Sequence, residues 1–439
     1  MLTLWAVAMI ATLMILIMSG RISPIVVLIV TPLTFGLLAG FGGELGPMML
    51  KGVGQLAPTA VMLAFAILYF GLMVDAGLFD SVVRFVVRIV HGDPVRITVG
   101  TVVLALMVSL DGNGATTYII CTSAMVPLYR RMGLSPLILA CLLVLSVSIG
   151  HIAPWAGPTA RVAIALGIDP SEIYLSLLPA MLVGALGVLA LAYRFGIRHR
   201  RMLAREDAQV LPADASGVGI QPSPTTHDST RHPKLFLVNL IVTLGLLAGL
   251  VFSVLPLPIL FMIASAIGLQ LNYPTLEAQK VRIVAHAPTI LRVVLLTFAS
   301  GIFFGVLNGT GMNDALGAQV AHAMPPQLGP YLAPIAAGIS LPFYYLGSND
   351  GFFFGVLPVL TKTAGQYGLS PVQMARAAVM AIPVGLLSPV APSTYVLVSL
   401  VEIEYSQLQR FALKWALLLS LILLVAAIAT GAIPLRGDL

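Results

Sequence analysis

Gly133–Thr159 reads GLSPLILACLLVLSVSIGHIAPWAGPT, and Gly368–Thr394 reads GLSPVQMARAAVMAIPVGLLSPVAPST. Ten of these 27 positions agree without a gap. Each stretch is an apolar run ending in two prolines within five residues, Pro154 with Pro158 and Pro389 with Pro392. Proline removes a backbone donor and stops a helix from continuing, so each stretch predicts a helix broken partway along. Upstream of each stands Ser-x-Asp-Gly, at Ser109–Gly112 and Ser348–Gly351. Further upstream, Gly77-Leu-Phe-Asp80 answers Gly311-Met-Asn-Asp314. Three markers in one order make the chain a duplicated unit.

The composition says what surrounds that unit. Of 439 residues, 59% are apolar and 9% charged, and the mean hydropathy is +1.01. Soluble domains carry about 25% charged residues, so a soluble enzyme, a secreted disulfide scaffold and a disordered chain are excluded. A span needs about 20 apolar residues, which leaves room for about 13. The net charge of +6 resides in short basic clusters between apolar runs, as the positive-inside rule expects, and does not point to nucleic acid. Cys121 and Cys141 sit inside apolar stretches, which suits neither a disulfide nor a metal knuckle. No basic region precedes the first apolar run, so it reads as a first span and not as a cleaved signal.

Residues 1–194 and 235–439 are read as the two repeats, and the polar, Arg-rich 195–234 as a linker. Runs 97–128 and 328–361 are too long for single spans and are polar in the middle, so they read as re-entrant hairpins. Broken helices fall at 135–167 and 369–400. Five spans plus one hairpin per half place Arg21, Arg84, Arg88, Arg96, Arg130, Arg131, the 194–234 cluster, Lys280, Arg282, Arg410 and Lys414 on one side. Lys51, Lys362 and Arg436 fall on the other. The bias predicts a cytoplasmic linker, with Met1 and Leu439 outside. Six ordinary spans per half would instead move Arg130 and Arg131 outside while Arg96 stayed inside. An odd number of spans turns the second copy upside down. The fold class is therefore an all-α polytopic membrane protein with an inverted repeat, the build of a secondary transporter.

Four polar breaks interrupt the apolar background, two at hairpin tips and two within helices. Non-helical backbone survives at membrane depth only where protein buries it or a watery cavity meets it. The helices that restart after the breaks aim N-terminal amides at the gap, which suits an anion. Asp111 and Asp350 are costly at that depth and mark an ion or proton path; the competing reading makes them helix caps at a shallower tip. Arg161, whose counterpart is Val396, could grip a carboxylate, or could snorkel to the interface near Asp169. His151 could carry protons or be a packed, hydrogen-bonded histidine. Arg376 belongs near the outer interface, Asp80 and Asp314 cap amphipathic segments, and Phe352–Phe354 pack the hairpin. No serine triad, phosphate loop or His-x-x-x-His spacing occurs, so transport would draw on an ion gradient.

The stretches Ser109–Thr117, Ala153–Arg161, Ser348–Pro358 and Leu387–Tyr395 closely resemble the citrate–divalent-metal:proton symporters of the ion transporter superfamily, over nearly the whole chain apart from the linker. The resemblance implies uptake of citrate, complexed with Mg²⁺ or Ca²⁺, together with H⁺ across a bacterial cytoplasmic (inner) membrane. It also implies a homodimer and an elevator-type transporter. Carried over by position, Asp111, Asn113, Thr116 and Thr117 match the family's first tip, and Ser348, Asn349 and Asp350 its second. Thr159, Ser393 and Thr394 match the broken-helix sites. The family's first tip usually reads Asp-Gly-Asp-Gly, whereas position 113 here is Asn. Where the family tends to Asn-Ile-Thr-Pro-Trp-Gly-Gly-Pro-Thr, this chain has His151, Ala153 and Ala156. The second tip has Gly351 where Ala is common. One carboxylate fewer and one histidine more weaken a metal site and favour an uncomplexed anion.

The leading expectation is a proton-coupled symporter of citrate or a related di- or tricarboxylate. Substrate binding falls to Asn113, Thr116, Thr117, Thr159, Arg161, Ser348, Asn349, Ser393 and Thr394, and coupling to Asp111, Asp350 and His151. The alternatives are a sodium-coupled dicarboxylate symporter and an anion channel. A membrane-embedded enzyme is disfavoured, because polar residues repeated with inverted symmetry serve alternating access and not a one-sided active site.

Overall fold

A computed structural model describes residues 2–19, 21–90, 92–207, 235–252, 254–323, 325, 327–346, 351–389 and 391–437. Met1, Leu439, linker residues 208–234 and the second tip, with Ser348, Asn349 and Asp350, lie outside the described residues. Among those described there are helices and turns and no strand. Five helical stretches are long and apolar enough to cross a membrane: Leu45–Asp75, Pro94–Asp111, Pro170–Met202, Leu276–Gly309 and Tyr405–Ala429.

The first half runs α1 (Leu2–Ser19), α2 (Pro24–Leu38), α3 (Leu45–Asp75), α4 (Leu78–Ile89), α5 (Pro94–Val108), α6 (Gly114–Arg131), α7 (Pro136–Gly150), α8 (Gly157–Leu166) and α9 (Pro170–Asp207). The second runs α10 (Phe236–Val251), α11 (Leu257–Asn272), α12 (Leu276–Gly309), α13 (Met312–Ala323), α14 (Leu332–Leu346) and a π-helical turn (Phe352–Val356). It continues through α15 (Leu357–Gly365), α16 (Pro371–Val379), α17 (Ile382–Gly385), α18 (Pro392–Val401) and α19 (Tyr405–Ala429). The order of elements repeats. Its Gly-x-x-Asp marker has a local cause. Gly77 and Gly311 take φ values of +74° and +73°, which a residue without Cβ adopts freely. Each turns the chain from a long helix into a short one, amphipathic in α4 but not in α13, and Asp80 and Asp314 fall in the first turns of these helices, where the helix dipole favours them.

The long helices of the two halves cross in opposite directions. Gly52, early in α3, lies on Gly301 and Gly305, late in α12. Asp75, at the end of α3, meets Arg282 and His286, early in α12. A Cβ on Gly52 would stand 2.0 Å from the Gly301 carbonyl, so glycine is what lets the backbones approach. The pair α9 and α19 is likewise antiparallel, with Gly184 against Leu423 and Phe195 against Phe411. Packing between the halves is reciprocal: α2 lies on α12 and α11 on α3, while α1 lies on α13 and α10 on α4.

In both long polar-centred runs the described arms lie side by side. The Thr101 hydroxyl of α5 lies 3.2 Å from the Tyr129 hydroxyl of α6, and Gly329, just before α14, abuts Tyr367, just after α15. The first hairpin extends to Pro94 and Arg131, three residues beyond expectation at each end. Phe352, Phe353 and Phe354 are buried against Phe343 and Tyr344, the packing role expected of them. Gly355 meets Ile10 and Met14 in the middle of α1, which sets this turn midway along that helix.

Two boundaries differ from expectation. Helix α9 continues to Asp207, through residues assigned to the linker, because 197–207 contains good helix formers and neither Gly nor Pro. The second broken helix is interrupted a second time, between α16 and α17. Pro383 stands there, where the first copy has Ser148, and α7 runs on with every residue from Leu139 to Gly150 buried.

Candidate substrate site

A cavity of about 790 Å³ gathers the first hairpin tip, both helix breaks, Tyr344 of the second hairpin and the α3–α12 wall. Its size is that of a small-molecule pocket. Of the candidate site residues, Asp111, Asn113, Thr116, His151, Arg161 and Ser393 line it. Among the described lining residues, Asp111 is the only carboxylate.

The first tip is built by its own side chains. Gly112 turns the chain at φ +71°. Asp111 Oδ1 accepts from the Asn113 amide (2.8 Å) and the Thr117 hydroxyl (3.4 Å). Asn113 Oδ1 accepts from the Ala115 (3.1 Å) and Thr116 (3.5 Å) amides and caps α6. Asp111 thus shapes the tip and also lines the cavity. Thr117 is buried behind the wall.

Residues 151–156 form the first break. Thr159, fully buried, donates to the carbonyls of His151 and Ile152 (3.1 Å each), satisfying backbone acceptors that the interrupted ladder leaves open. Trp155 Nε1 donates to the Leu110 carbonyl (2.8 Å), which ties the break to the tip. The Trp155 ring packs among Phe70, Phe261 and Tyr174. Helix α8 starts at Ala156 with no side-chain cap, and Gly157 and Pro158 of its first turn line the cavity. Half-buried Arg161 follows on the next turn. His151 is buried, and neither ring nitrogen has a hydrogen-bond partner among the described residues. Buried polar groups are normally paired, so this imidazole, which also lines the cavity, stands where a ligand or water is needed.

The second break is satisfied differently. Thr394 donates to Leu386, Tyr405 to Leu387 and Ser388, Gln409 to Leu387, and Tyr395 to Pro389. Helix α18 starts at Ala391, again without a side-chain cap, so two half-helices present N-terminal amides at one cavity. Thr394, like Thr159, is buried and holds the break instead of lining the cavity.

Arg376 donates to the Ala432 (3.0 Å) and Glu172 (2.8 Å) carbonyls, and Asp314 pairs with Lys362 at 2.6 Å. Cys121 and Cys141 are buried free thiols. Trp155, Ser388 and His286 line the cavity without having been singled out as site residues. For Trp155 no sequence signal separated it from core aromatics. For His286 one existed: the offset of 234 that relates Gly77 to Gly311 sets it against Gly52.

The family model described as citrate transporter matches residues 1–381. The citrate transporter of Bacillus subtilis (strain 168) is 43% identical over 436 residues, 99% of this chain and 100% of that protein. The Mg(2+)/citrate complex secondary transporter of the same organism is also 43% identical over 436 residues, with the same coverage. Among solved structures, the YdaH transporter of Alcanivorax borkumensis superposes with TM-score 0.62 at 16% identity, covering 91% of each chain. MtrF of Neisseria gonorrhoeae superposes with TM-score 0.64 at 14% identity, covering 92% of this chain and 87% of its own. These two likenesses concern the fold.

Proposed function

The chain belongs to the citrate transporter family, and from that premise we propose that it takes up citrate, or a related di- or tricarboxylate, by symport with protons. Its family and relatives are transporters and not enzymes. The observation that carries the reading is the convergence of two uncapped half-helix N-termini, Arg161 and the unpartnered His151 on one cavity. Each helix terminus supplies about half a positive charge, and Arg161 adds a full one with a forked donor that matches a carboxylate. Asn113, Thr116, Ser393 and, from the second tip, Ser348 and Asn349 would hold the remaining oxygens. Thr117, Thr159 and Thr394 would act from behind by fixing the tip and the breaks. Asp111, Asp350 and His151 would carry the coupling protons.

Mg²⁺ or Ca²⁺ enters this scheme as cargo. With Asp111 the one carboxylate among the described lining residues, a divalent ion would be held mainly by the carboxylates of citrate. The relative named as a Mg(2+)/citrate complex transporter supports that form. The Asn at 113 favours the uncomplexed anion.

The antiparallel α3–α12 and α9–α19 pairs support an inverted repeat of five spans and one hairpin per half. The linker would lie in the cytoplasm of a bacterial inner-membrane protein. The glycine seam of α3 and α12 suits the fixed part of an elevator, with tips and broken helices as the moving part, in a homodimer.

Uptake of labelled citrate into proteoliposomes, with and without Mg²⁺ or Ca²⁺, under separate H⁺ and Na⁺ gradients, tests the reading. Accumulation driven by H⁺ alone is expected. Accumulation driven by Na⁺ would replace the coupling ion, and flux without accumulation would make the protein a channel.

A further inference from the structure

Equivalent positions of the two long helices differ by 234 residues, so the α3–α12 crossing presents each contact twice. At one end Gly52 lies on Gly305, and Met48 lies on Gly309. At the other end the corresponding pairs are His286 with Gly71 and Arg282 with Asp75. His286 Nε2 is 3.0 Å from Asp75 Oδ2, and Arg282 Nη1 is 3.4 Å from the same oxygen. A Cβ on Gly71 would stand 2.4 Å from the His286 ring, so the missing side chain leaves the space that the imidazole fills. The glycine end needs no ionic clamp to hold the crossing. The other end carries three ionisable groups whose side chains are 21–30% exposed, and both Gly71 and His286 line the cavity.

We propose that His286, Asp75 and Arg282 form a proton-linked binding station for a substrate carboxylate on the α3–α12 wall of the cavity. The station rests on the carboxylate reading of that cavity. Histidine is the side chain that changes charge between pH 5 and 8. The Asp75 carboxylate offsets Arg282, so a neutral His286 leaves the station without net charge and a protonated one makes it a cation. An anion in the cavity then favours the protonated imidazole, and by reciprocity the proton favours the anion.

The charged and titratable surroundings of His286 are few. Asp75 faces it from α3, which otherwise offers only Gly71 and the apolar Leu63, Ile67, Phe70 and Val74 to the cavity among the described residues. Arg282 lies on its own helix, with the Tyr273 ring under that guanidinium at 5.3 Å. Arg161 of α8 shares the cavity. Helix α2 has no ionisable side chain, and Asp314 and His322 of α13 belong to the glycine end.

The test is calorimetric titration of the full chain in nanodiscs with citrate and with Mg²⁺-citrate, in buffers of different ionisation heat, from about pH 6 to about pH 8. Wild-type protein should take up more protons per bound citrate than His286→Gln. Its affinity advantage should shrink from roughly fivefold at the acid end to parity at the alkaline end. Protons taken by citrate, Asp111 or His151 are common to both and cancel in the difference. Asp75→Asn preserves the shape but removes the charge paired with His286. Its proton uptake per bound citrate should differ from that of the wild type, and it carries the test if His286→Gln does not fold. Equal proton uptake in all three proteins would overturn the station and leave the carboxylate reading standing. No binding by the wild-type chain would overturn both.

Discussion

The two helix breaks lie in matching stretches of sequence and are held differently. The first holds His151 and Arg161, where the second has Leu386 and Val396. The first satisfies its carbonyls with Thr159 and leaves an imidazole without a hydrogen-bond partner among the described residues. The second saturates four successive carbonyls with Thr394, Tyr405, Gln409 and Tyr395. The ionisable side chains at the breaks therefore lie in the first, while the second offers a neutral helix terminus whose preceding carbonyls are hydrogen-bonded.

The most severe way to break this comparison is at the tips. Asp111→Asn and Asp350→Asn are each expected to abolish coupled uptake in proteoliposomes while leaving folded protein in the membrane, since a carboxylate at that depth marks an ion path. Normal uptake by both would return these residues to capping alone.

Next comes the asymmetry itself. Arg161→Lys should weaken citrate binding by about 1–3 kcal/mol, the scale of a charge-assisted hydrogen bond, and Arg161→Ala by more. The matching change Val396→Ala should stay within about 0.5 kcal/mol. Calorimetry on the three proteins decides, and equal affinities would erase the distinction between the breaks.

Tyr405→Phe separates holding from binding. It removes a donor from Leu387 and Ser388 and should cost about 1–3 kcal/mol of stability, read as a lower unfolding midpoint with citrate affinity kept. The smallest expected effect is that of Trp155→Phe. The ring packing survives, but the bond to Leu110 is lost, about 1 kcal/mol, and half-saturation for uptake should rise a fewfold. A collapse of uptake would mean that the link from break to tip matters more than Arg161.

The frame was legible in the sequence because backbone chemistry writes it in residue types. Proline pairs marked both breaks, and Gly77 and Gly311 marked both turns. The site was legible in part. Asp111, Arg161 and His151 stood out as ionisable residues in apolar runs, and all three line the cavity. Thr159 and Thr394 were legible as repeated positions, but their hydroxyls serve carbonyls seven or eight residues back, a bond that depends on the bend angle and not on spacing. Trp155 reaches Leu110 across 45 residues of chain and His286 reaches Asp75 across 211, meetings that periodicity does not encode.

The reciprocal packing of α2 on α12 and α11 on α3 also governs how the protein is made. Helix α2 ends at Leu38, and its partner α12 begins at Leu276. At about 5–20 residues per second, translation leaves that partner unmade for on the order of ten to fifty seconds. Throughout that interval the faces of α2 and α3 meant for the second copy are open to lipid, to the insertion machinery and to proteases. The glycine seam at Gly52 can close only when the last third of the chain begins to emerge. A first half cut free of the second would therefore be a standing substrate for quality control, and the duplication, once fused, binds the survival of each copy to the synthesis of the other.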